Sequence, residues 1–113
     1  MGLLTGKCHS TGTPLGADDV RKLSPEWLPW FEGGLATPEW SARVDLVRET
    51  LTADGRTLAQ GALGWLLARS PVIVPIPGAR TVAQAEENFA TLALGPLPAD
   101  AVAQVASLLR AAN

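Results

Sequence analysis

The sequence contains one uninterrupted run of strongly apolar residues that favour strands, Val72-Ile73-Val74-Pro75-Ile76. Because the run is apolar throughout and does not alternate, it predicts a core strand near 72–76 that is covered on both faces, as in parallel sheets flanked by helices. Pro75 weakens this prediction, since proline removes one donor from the sheet ladder. The alternative is an extended connector between the helices of an all-helical domain.

No second convincing strand is predicted anywhere else in the sequence. A strand with two edges needs neighbours that satisfy its backbone N–H and C=O groups. The chain has 113 residues and 47% hydrophobic content, which suits one small domain or a part of a larger one. We therefore predict an α/β fold in which most of the sheet lies outside this sequence.

Helix signals are regular from Thr37 onward. Capping residues and helix breakers predict helices that begin at Pro38, Leu58, about Thr81 and about Pro98. The second, Leu58 to about Arg69, is apolar on nearly every side, so we expect it to be buried. The last two carry apolar stripes, formed by Val82, Ala85, Phe89 and Leu92 on the third helix and by Val102, Val105, Leu108 and Leu109 on the fourth.

Residues 1–36 hold many of the glycines and prolines, and they predict a long loop with one short helix near Ser24-Pro25-Glu26. The net charge of −2 gives no electrostatic reason to expect nucleic acid or an acidic membrane surface as a partner. The apolar runs are too short to span a bilayer, the first residues do not form a secretion signal, and a single cysteine, Cys8, cannot form an internal disulfide. The expected location is cytoplasmic.

Three segments together resemble the C-terminal portion of aldo/keto reductases. They are GLLTGK at residues 2–7, ALGWLL at residues 62–67, and PIPGAR at residues 75–80 with Gln84 and Glu87-Asn88-Phe89. The resemblance covers nearly the whole chain in the right order and is closest to bacterial members with PIPGxR before the last barrel helix. It implies a (β/α)8 TIM barrel that binds NADPH without a Rossmann fold.

The resemblance also implies that the chain is a C-terminal fragment of that barrel. Residues 1–113 would be a partial oxidoreductase domain, in which 1–36 form the long loop after strand seven. Residues 37–113 would hold the last helices, the last strand and the C-terminal helix. The missing neighbours of the lone strand would then lie upstream.

The cofactor-binding positions implied by the resemblance are Lys7, Gly78, Ala79, Arg80, Gln84, Glu87 and Asn88. Arg80 and Gln84 match the site of the adenosine 2'-phosphate, where Gly78 leaves space for the phosphate. Many members have lysine where Gly78 stands, so the phosphate contact depends more on Arg80 and backbone amides. Glu87 and Asn88 match adenine contacts, and Lys7 reaches the cofactor from the other side.

Each of these residues also has an ordinary structural interpretation. Arg80 and Lys7 could be solvated loop charges, and Gln84 could be the capping partner of Thr81. Glu87 could lie on a solvated helix face. Gly78 is expected to form a turn under either interpretation.

No catalytic or metal site is predicted. The family reduces carbonyls with a tyrosine as proton donor, tuned by a lysine and an aspartate, and this chain has no tyrosine. The adjacent pair Cys8-His9 lacks the orienting third group of a nucleophilic site and offers too few ligands for zinc. In the intact enzyme the partners would be the nicotinamide cofactor and a small carbonyl substrate. The chain alone should be inactive, bind NADPH weakly or not at all, and self-associate through uncovered apolar surface.

A second class of function is a small helical protein-interaction module. Its contacts would be the four tryptophans, Trp27, Trp30, Trp40 and Trp65. Tryptophan is enriched at interface hot spots, although Trp27 and Trp30 equally suit a loop over a barrel mouth.

Overall fold

The computed structural model describes residues 2–6, 15–23 and 26–112. The chain divides into two compact units, residues 1–45 and 46–113. The division falls inside the first helix, α1 (Pro38–Leu51), which begins and ends close to where the sequence predicts.

The first unit contains a small hairpin in the region predicted to be one long loop. Strand β1 (Phe31–Glu32) pairs antiparallel with β2 (Leu35–Ala36), so that Phe31 lies opposite Ala36. Gly33 and Gly34 between them have φ of 57° and 89°, which suits the two-residue turns that join hairpin strands. The prediction of no second strand is therefore wrong here, because two-residue strands are too short for an alternating pattern.

The core of the first unit is formed by Leu28 and Phe31, with Leu3 and Trp30 packed against them. The rings of Trp30 and Trp40 meet edge to face, with centroids 5.6 Å apart. Single 3-10 turns cover Leu3–Thr5 and Val20–Leu23. Of the short helix predicted near Ser24-Pro25-Glu26, the first two residues lie outside the described ranges, and Glu26 is in a turn.

The second unit contains three complete helices, α2 (Leu58–Arg69), α3 (Val82–Leu94) and α4 (Ala99–Ala111). A 3-10 turn at Ala53–Gly55 separates α1 from α2. The apolar residues buried in this unit are Val47, Leu51, Leu58, Leu97 and Val105. The helix boundaries confirm the predictions from capping residues and breakers, including the break at Gly95, which has φ of 73°.

Helix α2 begins with the predicted capping box. The Gln60 N–H donates to Thr57 Oγ1 at 3.2 Å, and the Thr57 N–H donates to Gln60 Oε1 at 2.9 Å. One turn of α2 lies so close to the end of α1 that a Cβ at Gly61 would overlap the Leu51 carbonyl. The expectation of all-round burial is wrong, since only Leu58, Gln60, Gly61 and Gly64 are buried in α2.

Polar contacts fix α3 and the start of α4 against α2. The buried Arg56 donates to the carbonyls of Leu94 at 2.8 Å and Gly95 at 2.9 Å, which lie at the C-terminal end of α3. Such groups have no partner within their own helix, and a cation there also suits the negative end of the helix dipole. The Leu97 N–H donates to the Gly64 carbonyl at 3.0 Å.

Residues 72–76 do not form the predicted core strand. No strand is assigned between Ser70 and Thr81, and the side chains of Val72, Val74 and Ile76 are exposed. The physical reason is that no other strand in the described part of the chain lies beside the segment, so its ladder hydrogen bonds are not made. The segment is a connector between α2 and α3, as in the alternative interpretation of the sequence.

The apolar stripe predicted on α3 is likewise uncovered, since Val82, Phe89 and Leu92 are exposed. That of α4 is better covered, with Val105 buried and Val102, Leu108 and Leu109 partly buried. No single described helix is long and apolar enough to span a membrane; α3 and α4 pass the length and composition criteria only together, as a pair bent by 119°.

Candidate functional site

The candidate site is the loop Pro77–Thr81 together with the first two turns of α3. Pro77, Gly78, Ala79 and Arg80 are all exposed. Thr81 caps the helix, with its Oγ1 accepting from the Gln84 N–H at 3.2 Å. Helix α3 therefore begins at Val82, two residues after Arg80.

The side chain of Gln84 makes a hydrogen bond of its own, separate from the Thr81 cap. Its Oε1 accepts from the backbone N–H of Arg80 at 2.8 Å, one residue earlier than in the capping box of α2. This contact holds the Arg80 backbone against the first turn of α3. It also leaves the Gln84 amide NH2 free of any partner in the described part of the chain, and able to donate.

Arg80 places a positive charge at the positive end of a helix dipole. No acidic residue occurs in the first turn of α3, and the Arg80 side chain has no ion pair among the described residues. The N–H groups of Val82 and Ala83 belong to the first turn, where a helix provides no partner. Both the guanidinium and the helix end favour an anion at this position.

Gly78 is not required for a turn. Its φ lies outside the left-handed region, in contrast to Gly95, and a Cβ placed on it would meet no atom within 4 Å. The expectation that Gly78 is a turn former is wrong. A side chain at position 78 would extend into open space.

Asn88 and Glu87 both take part in contacts that position this region. The Asn88 Nδ2 donates to the Gly78 carbonyl at 3.3 Å, across the loop from α3. The Glu87 carbonyl accepts from Gln60 Nε2 at 2.9 Å, while its side chain stays partly exposed. The Asn88 Oδ1 and the Glu87 carboxylate have no hydrogen bond or ion pair with described residues and remain able to accept hydrogen bonds.

The structure thus brings together all the predicted cofactor-binding positions except one. Gly78, Ala79, Arg80, Gln84, Glu87 and Asn88 lie on one loop and the helix that follows it. Lys7 lies outside the described residues, as do Cys8 and His9. Within the described part of the chain, no group of three or more metal-binding side chains occurs.

An open, mainly apolar depression of about 440 Å³ lies elsewhere in the second unit, between the end of α2 and the start of α4. It is lined by Leu67, Ala68, Arg69, Ser70, Pro71, Pro96, Leu97, Ala99 and Val102. None of the predicted site residues is among them.

Comparison with known proteins identifies the family. The sequence model of the aldo/keto reductase family matches residues 1–110. This chain belongs to the aldo/keto reductase family. The family implies a (β/α)8 barrel.

Three curated proteins match the chain over a limited region. The chain is 44% identical over 62 residues to an uncharacterized oxidoreductase of Schizosaccharomyces pombe, and 44% identical over 64 residues to pyridoxine 4-dehydrogenase of Escherichia coli. It is 43% identical over 49 residues to yakc of S. pombe, an aldo-keto reductase named for NADP(+).

These matches cover 55%, 57% and 43% of this chain, but only 19%, 21% and 14% of the respective relatives. The chain therefore spans about a fifth of the length of the first two relatives it matches. No solved structure matches it significantly.

Sequence reasoning predicts the candidate site residues but not the contacts among them. The spacing of Thr81 and Gln84 predicts a capping box, yet the Gln84 side chain bonds Arg80 instead of Thr81. Nothing local signals that Asn88 bonds a residue ten positions earlier, or that Gln60 reaches Glu87. Such contacts depend on how the loop folds back along the helix.

Proposed function

We propose that this chain supplies the cofactor-binding end of an NADPH-dependent aldo/keto reductase, whose intact barrel transfers hydride to aldehydes or ketones. The chain is then the portion that follows barrel strand seven, and by itself it reduces no carbonyl compound. The tyrosine on which the family's proton transfer depends is absent from this sequence. Proton donation and hydride transfer would take place on other parts of the barrel.

The observation that carries the proposal is the exposed Arg80, two residues before the start of α3. Its guanidinium and the N–H groups of Val82 and Ala83 together present donors that suit a phosphate dianion. Guanidinium groups bind phosphate oxygens in pairs, which a lysine cannot do. A 2'-phosphate is the group that distinguishes NADPH from NADH, so this position would select the phosphorylated cofactor.

The remaining residues have defined roles in the proposed site. Gly78 and Ala79 keep the loop narrow enough for the phosphate to approach the backbone. Gln84 fixes the Arg80 backbone through its Oε1 and can donate its NH2 to the phosphate. The free oxygen atoms of Glu87 and Asn88 suit the amino group of adenine. Lys7 would contact the cofactor from the opposite side. When bound, NADPH supplies the hydride.

The test uses a complete barrel, made by replacing the matching segment of the E. coli pyridoxine 4-dehydrogenase with that of this chain. In that chimera, Arg80→Ala should weaken NADPH binding by roughly ten- to a hundredfold, because a charge-assisted contact contributes about 1.5 to 3 kcal/mol. NADH binding should change far less. Dissociation constants for both cofactors, measured by fluorescence titration, check this expectation.

Arg110→Ala is the matched control, since Arg110 is an exposed arginine in the last turn of α4, away from the site. It should leave both dissociation constants unchanged. Equal weakening of NADPH and NADH by Arg80→Ala would mean that Arg80 acts through adenine or loop structure, and the phosphate assignment would be wrong. No change in either would make Arg80 an ordinary solvated arginine.

A further inference from the structure

Helix α3 is hydrogen-bonded at two points to residues at or just before the start of α2. At its C-terminal end, the buried Arg56 donates to the carbonyls of Leu94 and Gly95 at 2.8 Å and 2.9 Å. Near its middle, the Glu87 carbonyl accepts from Gln60 Nε2 at 2.9 Å. Of these two contacts, the bond from Gln60 is the nearer to the candidate site.

The side chain of Gln60 is itself fixed before it reaches α3. It belongs to a residue that is 8% exposed, and its Oε1 accepts from the Thr57 N–H at 2.9 Å in the capping box of α2. Because the amide carries its acceptor and its donors on one planar group, fixing Oε1 also directs Nε2. The bond to Glu87 therefore joins two rigid groups, and such a bond defines the position of α3.

The loop of the candidate site is bonded to α3, so a tilt of the helix carries the loop with it. The Arg80 N–H donates to Gln84 Oε1 at 2.8 Å, and Asn88 Nδ2 donates to the Gly78 carbonyl at 3.3 Å. These residues keep their mutual arrangement when α3 tilts. Such a tilt changes the position of the whole site relative to α2.

The length of α3 amplifies any displacement at Glu87. With a rise of 1.5 Å per residue, Glu87 lies about 10 Å and Thr81 about 20 Å from Leu94 along the helix. If α3 turned about the end held by Arg56, a shift of about 0.5 Å at Glu87 would become about 1 Å at Thr81. Binding sites require their groups to lie within about 0.5 Å of the productive geometry.

We propose that Gln60 is a positioning residue for cofactor binding. By setting the tilt of α3, it places the loop of the candidate site at the correct distance from the part of the barrel that holds the nicotinamide end. This inference rests on the proposed function, in which Arg80 and the start of α3 bind the 2'-phosphate. Gln60 itself touches no part of the cofactor.

The effect of Gln60 should be visible only for a ligand that is held at both ends. NADPH would be bound by the loop at its adenosine end and by other parts of the barrel at its nicotinamide end. Adenosine 2',5'-bisphosphate carries the adenosine end alone, so it can follow the loop wherever α3 places it. A change at Gln60 should therefore weaken the binding of NADPH and spare that of the bisphosphate.

In the chimeric barrel, Gln60→Glu separates the two bonds of the glutamine side chain. The variant retains the capping box, in which glutamate also serves, but at pH 8 its carboxylate sets an acceptor against the Glu87 carbonyl. The dissociation constant of NADPH should rise at least about tenfold, and that of the bisphosphate less than about twofold. Titration calorimetry measures both. Gln104→Glu makes the same chemical change at an exposed position of α4 and should alter neither.

Gln60→Met is a second variant, which removes both bonds without burying a charge. It should show the same difference between the two ligands, and far-ultraviolet dichroism verifies that the helices form. Equal weakening of NADPH and the bisphosphate by the Gln60 variants, or no change in either, would overturn the role of Gln60. A failure of the proposed function gives a different result, because Arg80→Ala would then leave the affinity for the bisphosphate unchanged.

Discussion

Helix α3 carries apolar side chains on its exposed face and makes polar contacts on its packed face, which is the reverse of the usual distribution. The face directed toward α2, which we call the anchored face, carries the buried Thr91 and the Glu87 carbonyl that accepts from Gln60. The opposite face, which we call the bare face, carries Val82, Phe89 and Leu92, with 75%, 68% and 70% of their surfaces exposed. Val82 and Thr91 are about two and a half turns apart, which places them on opposite sides.

Helix α3 is therefore held against α2 by polar contacts and not by its hydrophobic stripe. Burial of apolar side chains is ordinarily the main stabilising contribution to helix packing. Here the apolar residues of the bare face contribute little to the stability of the chain, while Arg56 and Gln60 supply specific hydrogen bonds. Exposed apolar surface of this kind is typical of contact sites for other protein surface.

The largest expected effect follows from removing the main contact at the end of α3. Arg56→Ala should lower the free energy of unfolding by about 3 kcal/mol, the upper end for hydrogen bonds to a charged group, because it leaves the carbonyls of Leu94 and Gly95 without their donor. Urea denaturation followed by tryptophan fluorescence measures it. Arg110→Ala, at an exposed site, should cost less than about 0.5 kcal/mol. Similar losses from both variants would mean that α3 is not anchored by Arg56.

A smaller effect of opposite sign is expected at Thr91. This residue is 2% exposed, and its Oγ1 has no hydrogen-bond partner in the described structure. Thr91→Val replaces the hydroxyl with a methyl group of similar shape, and should raise the free energy of unfolding by about 1 kcal/mol, since an unsatisfied buried hydroxyl is destabilising. Thermal denaturation checks the sign. A lower melting temperature would show that the hydroxyl is bonded and that the anchored face has a further polar contact.

The smallest effect is expected on the bare face. Leu92→Asn should change the free energy of unfolding of the monomer by less than about 0.5 kcal/mol, apart from a small difference in helix propensity, because the leucine side chain is mostly in water already. Denaturation at low protein concentration measures this. A loss of 2 kcal/mol or more would show that the leucine is buried in solution and would remove the contrast between the two faces.

The elements that the sequence predicts correctly are those with local causes. Thr57 with Gln60, Thr81, and the break at Gly95 set the helix ends through contacts within one turn. The conformation of residues 72–76 could not be predicted in this way, because a strand exists only where another strand is beside it. The hydrogen bonds of Arg56 could not be predicted either, since its partners lie 38 and 39 residues further along the chain.

The same distinction between local and distant contacts applies to the candidate site. The residue types at 78, 80, 84, 87 and 88 predict the candidate site from the sequence, and these residues lie on one loop and the helix that follows it. The bonds from Arg80 to Gln84 and from Asn88 to Gly78 are not readable from spacing, because they depend on the path of the loop over α3.

The side chain of Gln60 has a consequence for how the second unit can move. Its amide oxygen accepts from the Thr57 N–H and its amide nitrogen donates to the Glu87 carbonyl, so both ends are occupied at once. Sliding α3 along α2 by one residue would break the second bond and leave the Gln60 amide nitrogen without its partner. The start of α2 and the middle of α3 should therefore open together in native-state hydrogen exchange, as one cooperative unit whose slowest amides span both helices.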